Sequence, residues 1–264
     1  SGEIWERVEG WFDMAAAPGN NSRDEEDAED LEEMRREWSW LESELRGGTL
    51  HPKTSGSDEE DNVGSSVGSH MAVMFFRQVV FTHMDCQSLN ILTPAAPEEG
   101  DTTNENNEKE KEEAPIKLID FEYASYNARA TDVGNTFCEH CDMNNLVPKY
   151  EDQYPEPEAQ DFFLRRYVSA ADPSLALRLD GEAVEGGEKE DMWKDFLSTA
   201  RREVGKHALI SHLGWAVWAM AQKRRGCGIE FDYGKYAQIR MEGYRLFKGW
   251  FWPKTSKGSG FSAK

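Results

Sequence analysis

Three stretches of this chain cannot contribute to a core, and their positions decide how the remainder can fold. Residues 18–30 (PGNNSRDEEDAED), 47–70 (GGTLHPKTSGSDEEDNVGSSVGSH) and 94–115 (PAAPEEGDTTNENNEKEKEEAP) contain no aromatic residue and are rich in Gly, Ser, Pro, Asn and Glu. Such segments bury too little apolar surface to offset the entropy of ordering them. They are expected to be disordered insertions in one domain spanning residues 1–264, and the chain between them keeps most of the Trp, Phe and Tyr for a single core. The three also carry −14 of the formal net charge of −20, so the folded part is only mildly acidic. It has no basic stripe to neutralise phosphates, which argues against nucleic acid as a partner. No apolar run reaches the roughly 18–20 residues that span a bilayer. A cytoplasmic location is expected, with Cys86, Cys138, Cys141 and Cys227 as reduced thiols.

Between the insertions the apolar residues are spaced for helices. Leu31, Met34, Trp38, Leu41 and Leu45 recur at three- and four-residue steps, the period of one helix face, until Gly47 and Gly48 stop it. Phe162, Phe163, Arg166, Tyr167 and Val168 suggest another helix. Thr199 to Lys223 reads as a long apolar helix, and Tyr233 to Phe247 as a final one. Val79 to Thr82 (VVFT) is β-branched and aromatic, suited to a short buried strand. A strand starting near Asn90 and a second within Ile116 to Ala124 (IKLIDFEYA) flank the third insertion. They predict a β-hairpin with a lengthened tip, a change that loop-closure entropy penalises weakly. Alternation along the second strand puts Asp120 at its end, on an otherwise apolar side.

The chemistry concentrates in FTHMDCQSLNIL, residues 81–92. Asp85 and Asn90 are too far apart in sequence to share a helix face, whose neighbours are three or four apart. They can converge from a loop held between strands. A loop with one carboxylate and one amide, followed by a strand-end Asp, is what phosphoryl transfer needs. One carboxylate orients and deprotonates the attacking hydroxyl, while an amide oxygen and a second carboxylate hold magnesium. Taken alone, Asp85 and Asp120 could instead be turn-capping residues, and Trp215 with Trp218 on an apolar helix could be plain core. CEHC (Cys138 to Cys141) offers two thiolates and His140, but a structural zinc site needs a further ligand pair. Thiols on a helix are the simpler reading. His83 reads as a loop anchor, and His207 and His212 as packing residues on the tryptophan-bearing helix.

The spacing HxDxxxxN, with a metal aspartate after a hydrophobic strand, is similar to the catalytic loop of protein kinases. More specifically, HMDCQSLNIL, LIDFEYASYNARATDVGNTFCE, SHLGWAVWAMAQ and IEFDYGKYAQIRMEGY resemble the choline and ethanolamine kinase family, in the correct order from about Trp38 to Phe247. The resemblance implies an α+β, mostly helical fold: a protein-kinase-like C-terminal lobe whose small β-hairpin element carries the catalytic loop. It implies a catalytic base at Asp85, magnesium ligands at Asn90 and Asp120, and nucleotide contacts at Gln87 and Asp120. Substrate contacts carried over are Tyr123, Glu139, Trp215, Trp218 and Tyr236, rings and a carboxylate being what an alkylammonium group needs. Met84 stands where the family has the asparagine of its HND.

The same resemblance implies ATP and magnesium, and an amino alcohol as acceptor. The residues after Glu139 (HCDMN) contain no ring, which leans toward ethanolamine, whose ammonium donates hydrogen bonds, over choline, whose methyl groups need aromatic faces. Ethanolamine phosphorylation is the first step of phosphatidylethanolamine synthesis. A noncatalytic amino-alcohol-binding module is the competing class of function. GSSVGSH (Gly64 to His70) is glycine-rich, yet no lysine lies between Lys53 and Lys109. An N-terminal nucleotide lobe is therefore expected to be absent from this sequence.

Overall fold

The computed structural model of the protein describes residues 2–18, 25–46, 66–93, 116–143, 146–181, 192–226, 228 and 230–252. Its organising element is α8 (Met192–Arg225), a helix of 34 residues buried along almost its whole length. Val204, Ala208, Leu209, Leu213, Ala216 and Val217 are fully enclosed. A helix enclosed along most of its length needs neighbours on several sides. Four helices pack on it most extensively: α1 (Ile4–Ala16), α3 (Val67–Arg77), α4 (Arg129–Glu139) and α9 (Tyr233–Phe251). α4 comes close at Gly134, where an added Cβ would lie 2.8 Å from the Ala208 nitrogen and 2.9 Å from the Val204 oxygen. α2 (Glu25–Arg46) closes the bundle with Leu31, Met34, Trp38 and Leu41 buried, as their spacing predicts. The short α5 (Tyr150–Gln153), α6 (Pro157–Ala171) and α7 (Pro173–Asp180) complete the helical part. No helix among the described residues is long and apolar enough to cross a membrane.

Two small antiparallel sheets sit at one edge of this bundle. β1 (Val79–Thr82) pairs with β4 (Ser125–Ala128), Val79 opposite Ala128 and Thr82 opposite Ser125. β2 (Ile91–Leu92) pairs with β3 (Lys117–Leu118), Ile91 opposite Leu118. The second pair is the hairpin expected around the third insertion. Asn127 fixes the first sheet to α1: its Oδ1 accepts from the Ile4 backbone N–H at 2.9 Å, and its Nδ2 donates to Thr82 Oγ1 and Ser125 Oγ.

Several expectations need correction. Glu25 to Asp30 of the first acidic stretch form the start of α2, because a helix already nucleated by its apolar face extends readily into Glu-rich sequence. Val67 to His70 of the second stretch begin α3, with Ser66 capping the Ser69 N–H, and Gly68 and Ser69 are buried. Residues 94–115, 47–65 and 19–24 lie outside the described residues. β1 is not a buried strand, since Val79 and Phe81 are 44% and 57% exposed. β3 ends at Leu118, and Asp120 lies beyond it in a left-handed conformation with φ 63°. α1, α4 and α7 were not anticipated from spacing.

Candidate active site

The loop after β1 is held by its own backbone donors. Met84 adopts φ 66°, a left-handed conformation that turns the chain sharply. That turn aims the N–H groups of His83 and Met84 at Asp132 in the first turn of α4, at 3.1 and 2.8 Å. Burial pushes the Asp132 carboxyl above its ordinary range, opposed by these two bonds. The Asp85 N–H donates to His83 Nδ1 at 3.3 Å, so the ring proton is on Nε2, which donates to the Ile119 carbonyl at 2.8 Å. His83 thus anchors the loop to the residue preceding Asp120.

Asp85 follows, with its side chain fixed from within the loop. Asn90 Nδ2 donates to Asp85 Oδ2 at 2.8 Å and to the Asp85 carbonyl at 2.9 Å, and Gln87 Nε2 approaches Oδ2 at 3.4 Å. A 3-10 turn over Ser88–Asn90 brings Asn90 back to this position. Burial, and then the Glu139 charge, push the Asp85 carboxyl up to about 6, against the hydrogen bonds from Gln87 and Asn90. Asp120 lies at the rim, exposed. Asp85, Asn90 Oδ1 and Asp120 are hard oxygen donors of the kind magnesium takes, alongside water and phosphate oxygens. Among the described residues no group of three or more His, Cys, Asp or Glu could hold a metal. Cys138 and Cys141 are buried, and burial pushes the Cys141 thiol up to about 12.

One cavity of about 340 Å³ gathers the sequence candidates: Asp85, Gln87, Asp120, Tyr123, Glu139, Trp215, Trp218 and Tyr236 all line it. Asn90 stands just behind, through Asp85. Four further lining residues were missed: Glu122, Phe231, Tyr233 and Arg240. Phe231 and Tyr233 flank the Asp232 cap of α9, and Arg240 is one helical turn after Tyr236, a spacing that could have revealed it. The rings meet edge to face. Trp215 lies 4.8 Å from Tyr123 and 5.4 Å from Trp218, while Trp218 lies 5.7 Å from Tyr233 and 6.2 Å from Tyr236. Arg240, 1% exposed, pairs with Glu139 at 3.0 Å and donates twice to the Tyr236 hydroxyl, at 2.8 and 3.0 Å. Glu139 therefore faces the cavity with a cation already beside it. Burial raises the Tyr123 hydroxyl to about 12, helped by Glu122, so it is a neutral donor at physiological pH.

The two histidines of α8 lie in the interior. His207 Nδ1 bonds the Glu203 carbonyl at 2.9 Å, whereas His212 has Nε2 3.5 Å from Cys138 Sγ and its Nδ1 without a partner.

Comparison with known proteins bears on what this arrangement is. A family profile described as choline/ethanolamine kinase matches residues 2–245. The chain is 35% identical over 176 residues to human choline/ethanolamine kinase, covering 65% of this chain and 38% of that protein. It is 37% identical over 172 residues to mouse choline kinase alpha, covering 63% and 33%. The crystal structure of choline kinase from Cryptosporidium parvum superposes with a TM-score of 0.58 at 24% identity, over 94% of this chain and 57% of that one. That likeness is one of fold, the protein-kinase-like type. The chain spans about a third of the length of these curated relatives. The profile match covers nearly all of its own length, and on that ground the chain belongs to the choline/ethanolamine kinase family.

Proposed function

We propose that the protein transfers the γ-phosphoryl group of ATP to the hydroxyl of a small amino alcohol. The carrying observation is that Asp85, Asp120, Glu139 and the rings of Tyr123, Trp215, Trp218 and Tyr236 line one cavity. In this reading Asp85 receives the hydroxyl proton as oxygen attacks phosphorus and ADP departs. Asn90 Oδ1 and Asp120 would hold magnesium, which when bound neutralises charge on the phosphates. Gln87, at the mouth of the same loop, would contact the nucleotide. The ammonium end of the substrate would rest among the rings, each cation–π contact giving about 0.5–2 kcal/mol.

Ethanolamine is the acceptor expected from the ring-free segment after Glu139. Choline is the second reading, favoured by Phe231 and Tyr233, which add two rings to the wall. We further propose that a nucleotide-binding lobe covers the exposed apolar surface of the hairpin, where Leu92, Leu118, Ile119 and Phe121 are 40–50% exposed. A cytoplasmic location is supported by free thiols at Cys86, Cys138 and Cys141.

The test is steady-state phosphoryl transfer with ethanolamine and choline, on this chain and on a longer form carrying a nucleotide lobe. The longer form is expected to turn over, this chain weakly or not at all, and Asp85→Asn to abolish transfer while leaving folding intact. Amino-alcohol binding with no transfer by the longer form would favour a noncatalytic binding module. A higher kcat/KM for choline would replace the ethanolamine assignment and keep the kinase reading.

A further inference from the structure

The aromatic wall of the cavity is held from behind by a buried amide that does not line it. The Trp215 indole N–H donates to Asn135 Oδ1 at 3.0 Å, and Ser211 Oγ donates to the same oxygen at 2.6 Å. An indole nitrogen can only donate, so the amide oxygen must face it. Asn135 is fully buried, and its Nδ2 is left without a partner. An orphaned amide inside a helix bundle calls for a reason, because an apolar residue would pack there without that loss. The reason lies in what the oxygen holds. Trp215 meets Tyr123 and Trp218 edge to face and is stacked from behind by Trp11 at 5.9 Å. A tilt of this ring would carry both neighbouring walls with it.

The position of Asn135 on α4 adds to the argument. Asp132, Asn135 and Glu139, at i, i+3 and i+7, share one helix face. Asp132 holds the catalytic loop, and Glu139 holds Arg240. Asn135 stands between them and holds the ring wall. We propose that Asn135 is a positioning residue for amino-alcohol binding, acting through the Trp215 indole N–H to set the tilt of the aromatic wall. The proposal rests on the amino-alcohol reading of the cavity.

Calorimetric titration of the chain with choline chloride and with ethanolamine, together with proton–nitrogen spectra of the tryptophan indole groups, tests it. Asn135→Leu removes the acceptor at similar volume, Ser211→Ala leaves the indole bond in place, and Trp215→Phe keeps a ring without the N–H. Asn135→Leu is expected to weaken binding about tenfold. It should also shift the indole resonance that Trp215→Phe deletes. Ser211→Ala keeps the indole bond and should cost far less affinity than Asn135→Leu, and Asn135→Leu should add no further loss in the Trp215→Phe background. Should Asn135→Leu fail to fold, Asn135→Ser carries the same comparison with a hydroxyl too short to reach the indole. Wild-type affinity in the folded variant, or an undiminished loss in the Trp215→Phe background, would overturn the proposal alone. A folded wild-type chain that binds neither ligand would overturn the amino-alcohol reading itself.

Discussion

At the scale of single residues, the Glu139–Arg240 pair changes what a carboxylate in this cavity can do. A lone glutamate beside an ammonium pocket would act as a counter charge. Here its partner is a guanidinium 1% exposed, held also by the Tyr236 hydroxyl. Removing the charge at Glu139 leaves that cation uncompensated in the interior, which commonly costs about 3–5 kcal/mol. Glu139→Gln is therefore expected to destabilise the fold by about 3 kcal/mol, the amide keeping part of the hydrogen bond, as well as to weaken amino-alcohol binding. Urea unfolding measures the first effect and ligand titration the second. The double variant Glu139→Gln, Arg240→Met should recover most of the stability and not the affinity, because an apolar side chain of similar volume removes the buried cation. A single variant as stable as wild type would show that Arg240 does not depend on Glu139.

At the scale of elements, the crossing of α4 over α8 fixes the site, since α4 carries Asp132 and Glu139 and α8 carries Trp215 and Trp218. Gly134 makes that crossing possible. The atoms an added methyl would meet are backbone, which cannot swing aside. Gly134→Ala is thus expected to lose about 1–3 kcal/mol by overpacking. The ordinary helix gain of replacing Gly, about 1 kcal/mol, is too small to reverse the sign. A rise in Tm would disprove the close approach. The sequence makes α8 and α9 legible because their apolar residues recur over many turns, and the β2–β3 hairpin legible because an acidic insertion divides two β-rich runs. It hides α4, whose TDVGNT segment mixes polar and small residues that are buried here by tertiary contact. Asp85 is readable from the loop spacing, whereas Glu139 and the tryptophans are readable only through the family resemblance. Arg240 is hidden because a buried arginine resembles a surface one until its partner, 101 residues away in sequence, is known.

At the scale of the whole molecule, α8 is also where stability meets pH. Glu203 on α8 accepts from Arg77 of α3 at 2.8 Å and lies 3.4 Å from Lys206. Burial alone would raise its carboxyl, but the Arg77 hydrogen bond and the charges of Lys206 and Arg77 hold it below the ordinary 4.5. A carboxylate lowered in the folded state stabilises above its unfolded pKa, and that contribution is lost as pH falls through the folded value. His207 and His212 act earlier, since burial lowers both from 6.5 and the unfolded chain takes up protons the fold refuses. Asp85 acts in the opposite direction: its carboxyl, raised to about 6, makes the fold gain relative stability as pH falls from there toward 3.8. The wild-type curve mixes these effects, so a difference curve is the informative measurement. Glu203→Gln removes the charge and leaves an acceptor for Arg77. It is expected to cost about 2 kcal/mol at pH 7, the worth of a hydrogen bond between charged groups. That gap should stay constant above pH 6 and close below 4.5, where wild-type Glu203 is itself driven to protonate. Paired urea titrations across that range decide it, and a gap that persists undiminished at pH 3 would show that the α3–α8 contact does not depend on the charge.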